Sequence, residues 1–395
     1  MEFEETGLPA VFVRGGTSKA IVFHARDLPA PESPGDTSAW VPILLAAMGS
    51  PDPSGRQLNG MGGGLSSLSK IAIVAPSARE DADVDYTFGQ VAIGAENVGF
   101  RGNCGNISSA IGPFAVDEGL VPATGDTATV RIFNTNTGKI IVSRFPLVNG
   151  RAAVAGDTRL DGVSGSGARI ELNFLEPGGA ATGRLLPTGN SVDRLTLSDG
   201  REIAASLVDA ANPVVFIAAE SLGLSLTETP DALTADPVFM RAAEDIRQAA
   251  ALAMGLVTTL DEARTTVTNL PLVGVVAPPV ASTLLDGRPL PAEEVDISTR
   301  MVSAGQPHKA VPLTASMCLA VAANIPGCIV AEAVRRRPDA GGEIRIGHPS
   351  GVMSVASDVV ERDGEVVAKH TTVFRTARRL MEGRVMVPTA LLKKG

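Results

Sequence analysis

Aromatic side chains are scarce in this chain: its 395 residues include one Trp, one Tyr and 12 Phe. A core must therefore be assembled from Ala, Val, Leu and Ile, through many small contacts rather than a few large rings. Cysteine is scarcer than most residues. Cys104, Cys318 and Cys328 make an odd set of three with no CxxC pair, so the spacing encodes neither a disulfide framework nor a zinc knuckle. The four histidines, His24, His308, His348 and His370, are scattered, and no HExxH string occurs. Positive charge is in deficit: 34 Lys and Arg against 43 Asp and Glu leave a net charge of −9, which argues against nucleic acid or an anionic membrane as partner. No apolar run approaches the ~20 residues that span a bilayer. The opening MEFEETGLPAVF is acidic where a signal peptide is basic. These absences predict a cytoplasmic protein with reduced thiols.

What is present is small and flexible: 42 Gly and 27 Pro punctuate a chain that is 44% hydrophobic and 19% charged, the profile of a globular protein with many tight turns. Short β-like runs are expected at residues 10–13, 20–24, 71–74, 130–133 and 140–142, with helices at 39–48, capped by Ser38, and at 106–118, which Gly112-Pro113 must bend or end. The Pro/Gly/Asn-bearing stretch 185–199 marks a boundary, dividing the chain into 1–188 and 189–395, with the last strand, about 380–395, packing back on the first part. In the second half, strands are expected at 214–218, 272–276, 344–346, 353–356, 365–374 and 384–387. Helices are expected there at 237–254 and 314–323. The halves echo each other weakly. Setting Cys104 opposite Thr314 brings Ile107, Ala110 and Ile111 opposite Met317, Ala320 and Val321, a match that a duplication or any two amphipathic helices would give.

Three clusters in the first half join small residues to reactive ones: Arg14 to Lys19 (RGGTSK), Gly60 to Lys70 (GMGGGLSSLSK) and Arg101 to Asn106 (RGNCGN). None fits a nucleotide template: GxxxxGK[ST] is absent, and Gly60, Gly62 and Leu65 break a GxGxxG. No GxSxG elbow exists. Glycines and hydroxyls do offer exposed backbone amides, and a helix starting after Gly105 would aim its unsatisfied N–H groups at an anion. A second helix starting near Thr314 would do likewise. An acidic protein can thus hold an anion locally. Cys104 at a helix N-terminus is placed where a thiolate is stabilised and is a candidate base; the plain alternative is a small buried hydrophobe. Cys318 and Cys328 read as core. Lys70, between a Ser-rich loop and an apolar strand, is either a desolvated reactive amine or a lysine snorkelling from a strand end. Lys19 reads similarly, and His308 precedes the second helix, while His24 and His370 read as surface or packing residues.

These clusters resemble the signatures of the PrpF family, which includes 2-methylaconitate isomerases, methylitaconate isomerases and 4-oxalomesaconate tautomerases. Further strings match along most of the chain: RIFNTNTGK (131–139), SLVDAANP (206–213), the 308–323 stretch, GHPSGVM (347–353) and FRTARRLMEGRVMVP (374–388). Two positions depart from the pattern: Ala20, where glycine is usual, and Leu65, where an acidic residue is usual. The resemblance implies an α/β (α+β) fold similar to diaminopimelate epimerase: two pseudo-symmetric domains, each a curled sheet around a central helix, with the active site between them. It implies Lys70 and Cys104 as catalytic residues. Substrate contacts are expected from Thr17, Ser18, Lys19, Gly64, Ser66, Ser67, Asn103, Gly105, Asn106, His308, Thr314 and Ser316. Where related epimerases open the second helix with another cysteine, this chain has Thr314-Ala315-Ser316, so a two-thiol racemisation is not supported. The implied activity is allylic proton transfer, as cis–trans isomerisation or double-bond shift, in a small unsaturated di- or tricarboxylic acid, with no metal or organic cofactor. Rival readings are an epimerase of amino or hydroxy acids, or a non-catalytic tricarboxylate-binding protein. A homodimer or homotetramer is expected.

Overall fold

The computed structural model describes residues 4–33, 35–100, 103–303, 305–337 and 342–392; Arg101 and Gly102 of the third cluster lie outside the described residues. The chain packs as two compact units, Met1–Phe174 with Phe374–Gly395, and Leu175–Val373. Among the described residues no helix is long and apolar enough to cross a membrane.

The first unit opens with a hairpin of β1 (Glu5–Gly15) and β2 (Ser18–His24). Helix α1 (Val41–Met48) follows, with Pro42 in its first turn and Gly49 in the left-handed conformation as its stop. Its N-cap is Trp40, not Ser38, whose hydroxyl and amide instead bond the Asp36 carboxylate. Next come β3 (Lys70–Pro76), β4 (Val84–Val91), the short β5 (Val98–Gly99) and α2 (Gly105–Asp117). Helix α2 runs on through Pro113, so the Gly112-Pro113 pair does not end it. The unit continues with β6 (Thr127–Asn134), β7 (Lys139–Val148), the short β8 (Arg151–Ala152) and β9 (Ile170–Leu175).

The second unit holds β10 (Asp193–Thr196), β11 (Glu202–Ala210), β12 (Asn212–Ala218), α3 (Pro230–Ala235) and α4 (Pro237–Ala253). Asp236 caps α4 through the amides of Val238 and Phe239. There follow α5 (Leu260–Thr265), β13 (Leu272–Ala277), the small hairpin β14 (Ser282–Thr283) and β15 (Pro289–Leu290), β16 (Ile297–Ser303) and β17 (Gln306–Pro307). Helices α6 (Leu313–Ala322) and α7 (Ile329–Ala333) precede β18 (Glu343–His348), β19 (Gly351–Arg362) and β20 (Glu365–Arg375). The chain then returns to the first unit as β21 (Ala377–Pro388), antiparallel to β1 along its whole length.

Both unit boundaries differ from those expected. Residues 176–187 belong to the second unit because their backbone is tied there: Gly179 N–H donates to Asp209 O at 2.8 Å, and the amides of Ala181 and Thr182 donate to the Asp209 carboxylate at 2.8 and 2.7 Å. The returning segment begins at Phe374 rather than near 380.

The two units repeat one plan. The first sheet runs β21-β1-β2-β3-β4-β6-β7-β9 and the second β10-β11-β12-β13-β16-β18-β19-β20. Each has the same series of antiparallel, antiparallel, parallel, antiparallel, parallel, antiparallel, antiparallel neighbours. Helix α2 touches strands from β21 across to β7, so the first sheet curls around it. Helix α6 packs on β11, β12 and β19 of the second. On the opposite faces, α1 seats Ile43, Leu44 and Met48 on Ile21, Phe23, Ile71 and Ile73, and α4 seats Phe239, Ile246 and Ala250 on Leu207, Val215 and Val273. Pseudo-symmetry is real, but the expected register is displaced by two. The caps align Cys104 with Pro312, so Thr314 matches Asn106.

Candidate active site

Alternation along β2 decides which of the first cluster's side chains meet α2. His24 stacks on Phe114 of α2 with ring centroids 5.0 Å apart, while Ile21 and Phe23 join the α1 cluster. Ser18, Ala20 and Val22 share the face of His24, and Ser18 is buried. Lys19 lies on the opposite face and is exposed, which separates it from Ser18. Parallel pairing of Ala20 with Lys70 puts Lys70 on the α2 face of β3, and antiparallel pairing continues that face across β4 through Gln90, Phe88 and Tyr86.

Lys70 is half-buried at the start of β3. Its Nζ donates to Gln90 Oε1 at 2.6 Å and lies 5.1 Å from the centre of the Phe88 ring. Gln90 Nε2 donates to the carbonyls of Ser66 and Ser69 at 3.1 and 3.0 Å, which fixes its amide with the oxygen toward the lysine. Tyr86, the chain's one tyrosine, is fully buried one face position further along β4. Burial first, then the charge of Cys104, pushes its hydroxyl pKa well up, so it stays protonated. Among the described residues this oxygen has no well-formed hydrogen bond, although Ser108 lies beside it. Phe88, under Lys70, and Tyr86, whose hydroxyl feels the charge of Cys104, occupy successive positions on one face of β4, about 7 Å apart along the strand.

Cys104 is the N-cap of α2, half-buried, and its side chain makes no capping bond. The amides of Gly105, Asn106 and Ile107 have no acceptor within the helix, whose ladder begins with Ser108 N–H to Cys104 O at 2.9 Å. Asn103 turns inward: its Oδ1 accepts from Ser108 Oγ at 3.0 Å and from Asn134 Nδ2 at 3.5 Å. Asn136 holds the other side of this approach, donating to Phe100 O at 2.7 Å and Phe88 O at 2.9 Å. Asn106 faces the β1–β2 turn, where its Nδ2 donates to Thr17 Oγ1 at 3.1 Å and its Oδ1 accepts from Arg375 Nε at 3.2 Å. The turn must be glycine. A Cβ on Gly15 would stand 2.4 Å from Asn106 O, and one on Gly16, where φ is +51°, would stand 2.2 Å from Asn106 Oδ1. Arg14 ties the turn down by donating to the carbonyls of Gly16 and Thr376 at 2.8 and 2.9 Å.

Sequence reasoning passed over Arg375, Tyr86, Gln90, Asn134 and Asn136. Arg375 is 6% exposed. Burial pulls its pKa down to about 10, against which the charge of Cys104 favours the cation, so it remains charged at neutral pH. The string FRTARR placed an arginine near the chain end, but only the return of β21 to β1 carries it to the start of α2.

The glycine loop is organised differently from the expectation. Gln57, buried beneath it, accepts from Gly64 N–H at 2.9 Å and Ser69 Oγ at 2.6 Å through Oε1, and donates to Ser50 Oγ at 2.9 Å. Gly64, with φ of +68°, therefore shapes the loop and commits its amide internally. Ser66 is exposed and Ser67 half-exposed, in a single 3-10 turn that leads to Lys70.

In the second unit, Thr314 Oγ1 accepts from Asn212 Nδ2 at 3.5 Å, and Asn212 follows the β11–β12 turn at Ala211, where φ is +60°. This repeats the contact between Asn106 and Thr17. Ser316 is fully buried and donates to Leu313 O at 2.7 Å, a bond within its own helix. His308 Nε2 lies 2.7 Å from Ser303 Oγ, and burial lowers its pKa, so the ring is neutral at neutral pH. Cys318 and Cys328 are wholly buried, and burial pushes both thiols up, in keeping with packing residues.

Comparison with known proteins agrees with this architecture. The chain is 40% identical over 392 residues to a 3-methylitaconate isomerase of Eubacterium barkeri, covering 98% of this chain and 99% of that one. It is also 40% identical to a 2-methyl-aconitate isomerase of Cupriavidus necator, over 96% and 97% of the two chains. A crystal structure of methylitaconate-delta-isomerase superposes with a TM-score of 0.90 at 39% identity, covering 100% of this chain and 98% of that one. A hydroxyproline epimerase from Agrobacterium vitis, at a TM-score of 0.50 and 11% identity over 98% and 94% of the chains, shares the fold alone. The family model described as PrpF protein matches residues 6–388, and the chain belongs to the PrpF family.

Proposed function

We propose that this protein is an isomerase that transfers an allylic proton within a small unsaturated di- or tricarboxylic acid. The observation that carries the reading is the placement of Cys104, half-exposed at the start of α2 with no side-chain cap, and of Lys70 on the face of β3 that α2 covers, over the Phe88 ring of β4. Relatives named for methylitaconate and methyl-aconitate isomerisation support it.

The chemistry follows from the substrate class. A C–H bond that is both allylic and next to a carboxylate loses its proton to leave a delocalised dienolate. One of Lys70 and Cys104 takes that proton, and the other returns one to the far end of the allyl system, which moves the double bond. Rotation before return to the original carbon interconverts cis and trans isomers instead. Negative charge grows on the carboxylates in the intermediate. The amides of Gly105 and Asn106 at the start of α2, with Thr17, Ser18, Ser66 and Ser67, are the proposed donors that stabilise it.

Following vinyl and methyl proton signals by NMR in deuterated water, with a panel of aconitate- and itaconate-type acids, tests the reading. Turnover with migration or geometric inversion of the double bond is expected, and Cys104→Ala or Lys70→Ala should each lower kcat by about a hundredfold or more. Near-wild-type rates in both variants would sink the assignment. Exchange of one α-proton with inversion at that carbon would favour an epimerase, and binding without turnover a carrier. We also propose a homo-oligomer, supported by Leu380, Met381 and Met386 exposed along β21; light scattering that gives the mass of one chain overturns it.

A further inference from the structure

A lysine side chain is a flexible four-carbon stem, so a lysine that moves protons needs its nitrogen held in one place. At Lys70 the holder is a neutral amide and not an ion pair. Lys70 Nζ donates to Gln90 Oε1 at 2.6 Å, and among the described residues no carboxylate pairs with it. The amide is itself pinned. Lys70 and Gln90 stand directly opposite each other on β3 and β4, and Gln90 Nε2 donates to Ser66 O at 3.1 Å and Ser69 O at 3.0 Å. Ser69 is anchored in turn: its carbonyl also accepts from Val91 N–H at 3.0 Å, and its hydroxyl donates to Gln57 Oε1 at 2.6 Å. Carbonyls only accept, so two of them leave the Gln90 amide one orientation, with its oxygen on the lysine.

A carboxylate at this position would favour the ammonium and hold its proton. An amide oxygen carries no charge and accepts from an amine as well as from an ammonium, so the nitrogen keeps its place in both protonation states. A group that must gain and lose a proton in every turnover needs that indifference. We propose that Gln90 is a positioning residue for Lys70, and that it ties the place of Nζ to the Ser66–Ser69 turn. The assignment rests on the isomerase reading and deepens it, because in that reading the serines of this turn hold a substrate carboxylate. Among the elements that border Lys70, β4 brings Tyr86 to this face, the start of α2 brings Cys104, and β2 brings His24 at its far end, beside Glu118. Neither β5 nor the turn at 66–68 brings a titratable group.

Two variants test it: Gln90→Met removes the amide, and Gln90→Glu keeps an oxygen for Nζ but adds charge. Folding of each is checked by circular dichroism, and either serves if the other does not fold. With an acid that the wild type isomerises, Gln90→Met should lower kcat by about tenfold to a hundredfold while KM stays within about threefold. Gln90→Glu should lower kcat at neutral pH and move one limb of the kcat–pH profile to higher pH, since a carboxylate favours the ammonium whichever way the proton travels. Without substrate, acetic anhydride should label Lys70 more slowly in Gln90→Glu than in the wild type, with the exposed Lys19 as internal control, read by mass spectrometry of a digest. A folded variant with kcat within about twofold of wild type, or a loss carried by KM alone, overturns the Gln90 assignment and leaves the isomerase reading standing. So does a Gln90→Glu enzyme whose pH profile and Lys70 labelling match the wild type. A wild type that isomerises no polycarboxylate overturns both claims.

Discussion

At the scale of single residues, the first unit's site depends on how closely Gly16 approaches Asn106. Gly16→Ala adds a methyl where no room exists and forces an L-residue into the left-handed region, at a cost of about 1–2 kcal/mol. Displacing Asn106 should also lower kcat/KM at least about tenfold, a larger loss than the drop in Tm alone would give; unchanged kinetics would count against Asn106 as a binding residue. A second residue-scale device sits at the other end of α2. Burial alone would raise the Glu118 pKa, but hydrogen bonds from His24 and Arg379, with their charges, hold it below 4.5. A carboxylate lowered in the folded state stabilises above its unfolded pKa and loses that contribution as pH falls through the folded value. Glu118→Gln should therefore be less stable than wild type at neutral pH. The gap in Tm should narrow as pH drops below 4.5. Cys104 and Lys70 were legible because each stands beside a glycine or serine run. Arg375 and Tyr86 were not, because their relevance depends on strand pairing across long sequence separations.

At the scale of elements, strands with an apolar run were readable, and those that bury polar groups were not. β16 is buried along most of its length yet includes Ser298, Thr299 and Arg300. Its burial is made tolerable by Arg300 donating to the carbonyls of Leu226, Glu228 and Thr299, bonds that no alternation pattern announces. The two-residue error in matching α2 to α6 has a related cause. Both helices are buried on almost every side, so the coincidence of apolar positions fixes no register. The caps and the polar contacts to the preceding turns fix it. The glycine loop is held from below by Gln57, and Gln57→Leu would leave Gly64 N–H and Ser69 Oγ without that acceptor. A loss of about 1–3 kcal/mol is expected by denaturant melting. Isomerase activity should fall further, because the loop leads directly into Lys70. Equal effects on stability and activity would show that the loop only carries the chain.

At the scale of the whole molecule, the repeated sheet order means that one plan occurs twice, while only one of the two matching helix caps carries a thiol. Cys104 has Pro312 at the matching cap, and the contact of Asn106 with Thr17 survives as Thr314 with Asn212. The resemblance to the PrpF family implied two related halves, which the weak echo between residues 104–111 and 314–321 alone left open. Neither anticipated that residues 176–187 are held in the second unit, because that depends on the buried Asp209 carboxylate collecting amides from a loop. Ending the chain at Val373 should abolish activity and expose the β1 edge, seen as fast hydrogen exchange across Leu8–Gly15, while Leu175–Val373 stays protected. Protection of β1 in such a truncation would contradict the role given to β21. The return of β21 also sets an order in time. A ribosome releases Leu175–Val373 as one uninterrupted stretch, whereas the first unit waits for β21. At typical elongation rates that delay is roughly 10–40 s. The first unit's opening strands are therefore completed only after the whole second unit has been made, and Arg375 can reach Asn106 only then. A nascent chain that has not yet made β21 thus leaves β1 without its partner strand, whatever else it has already folded.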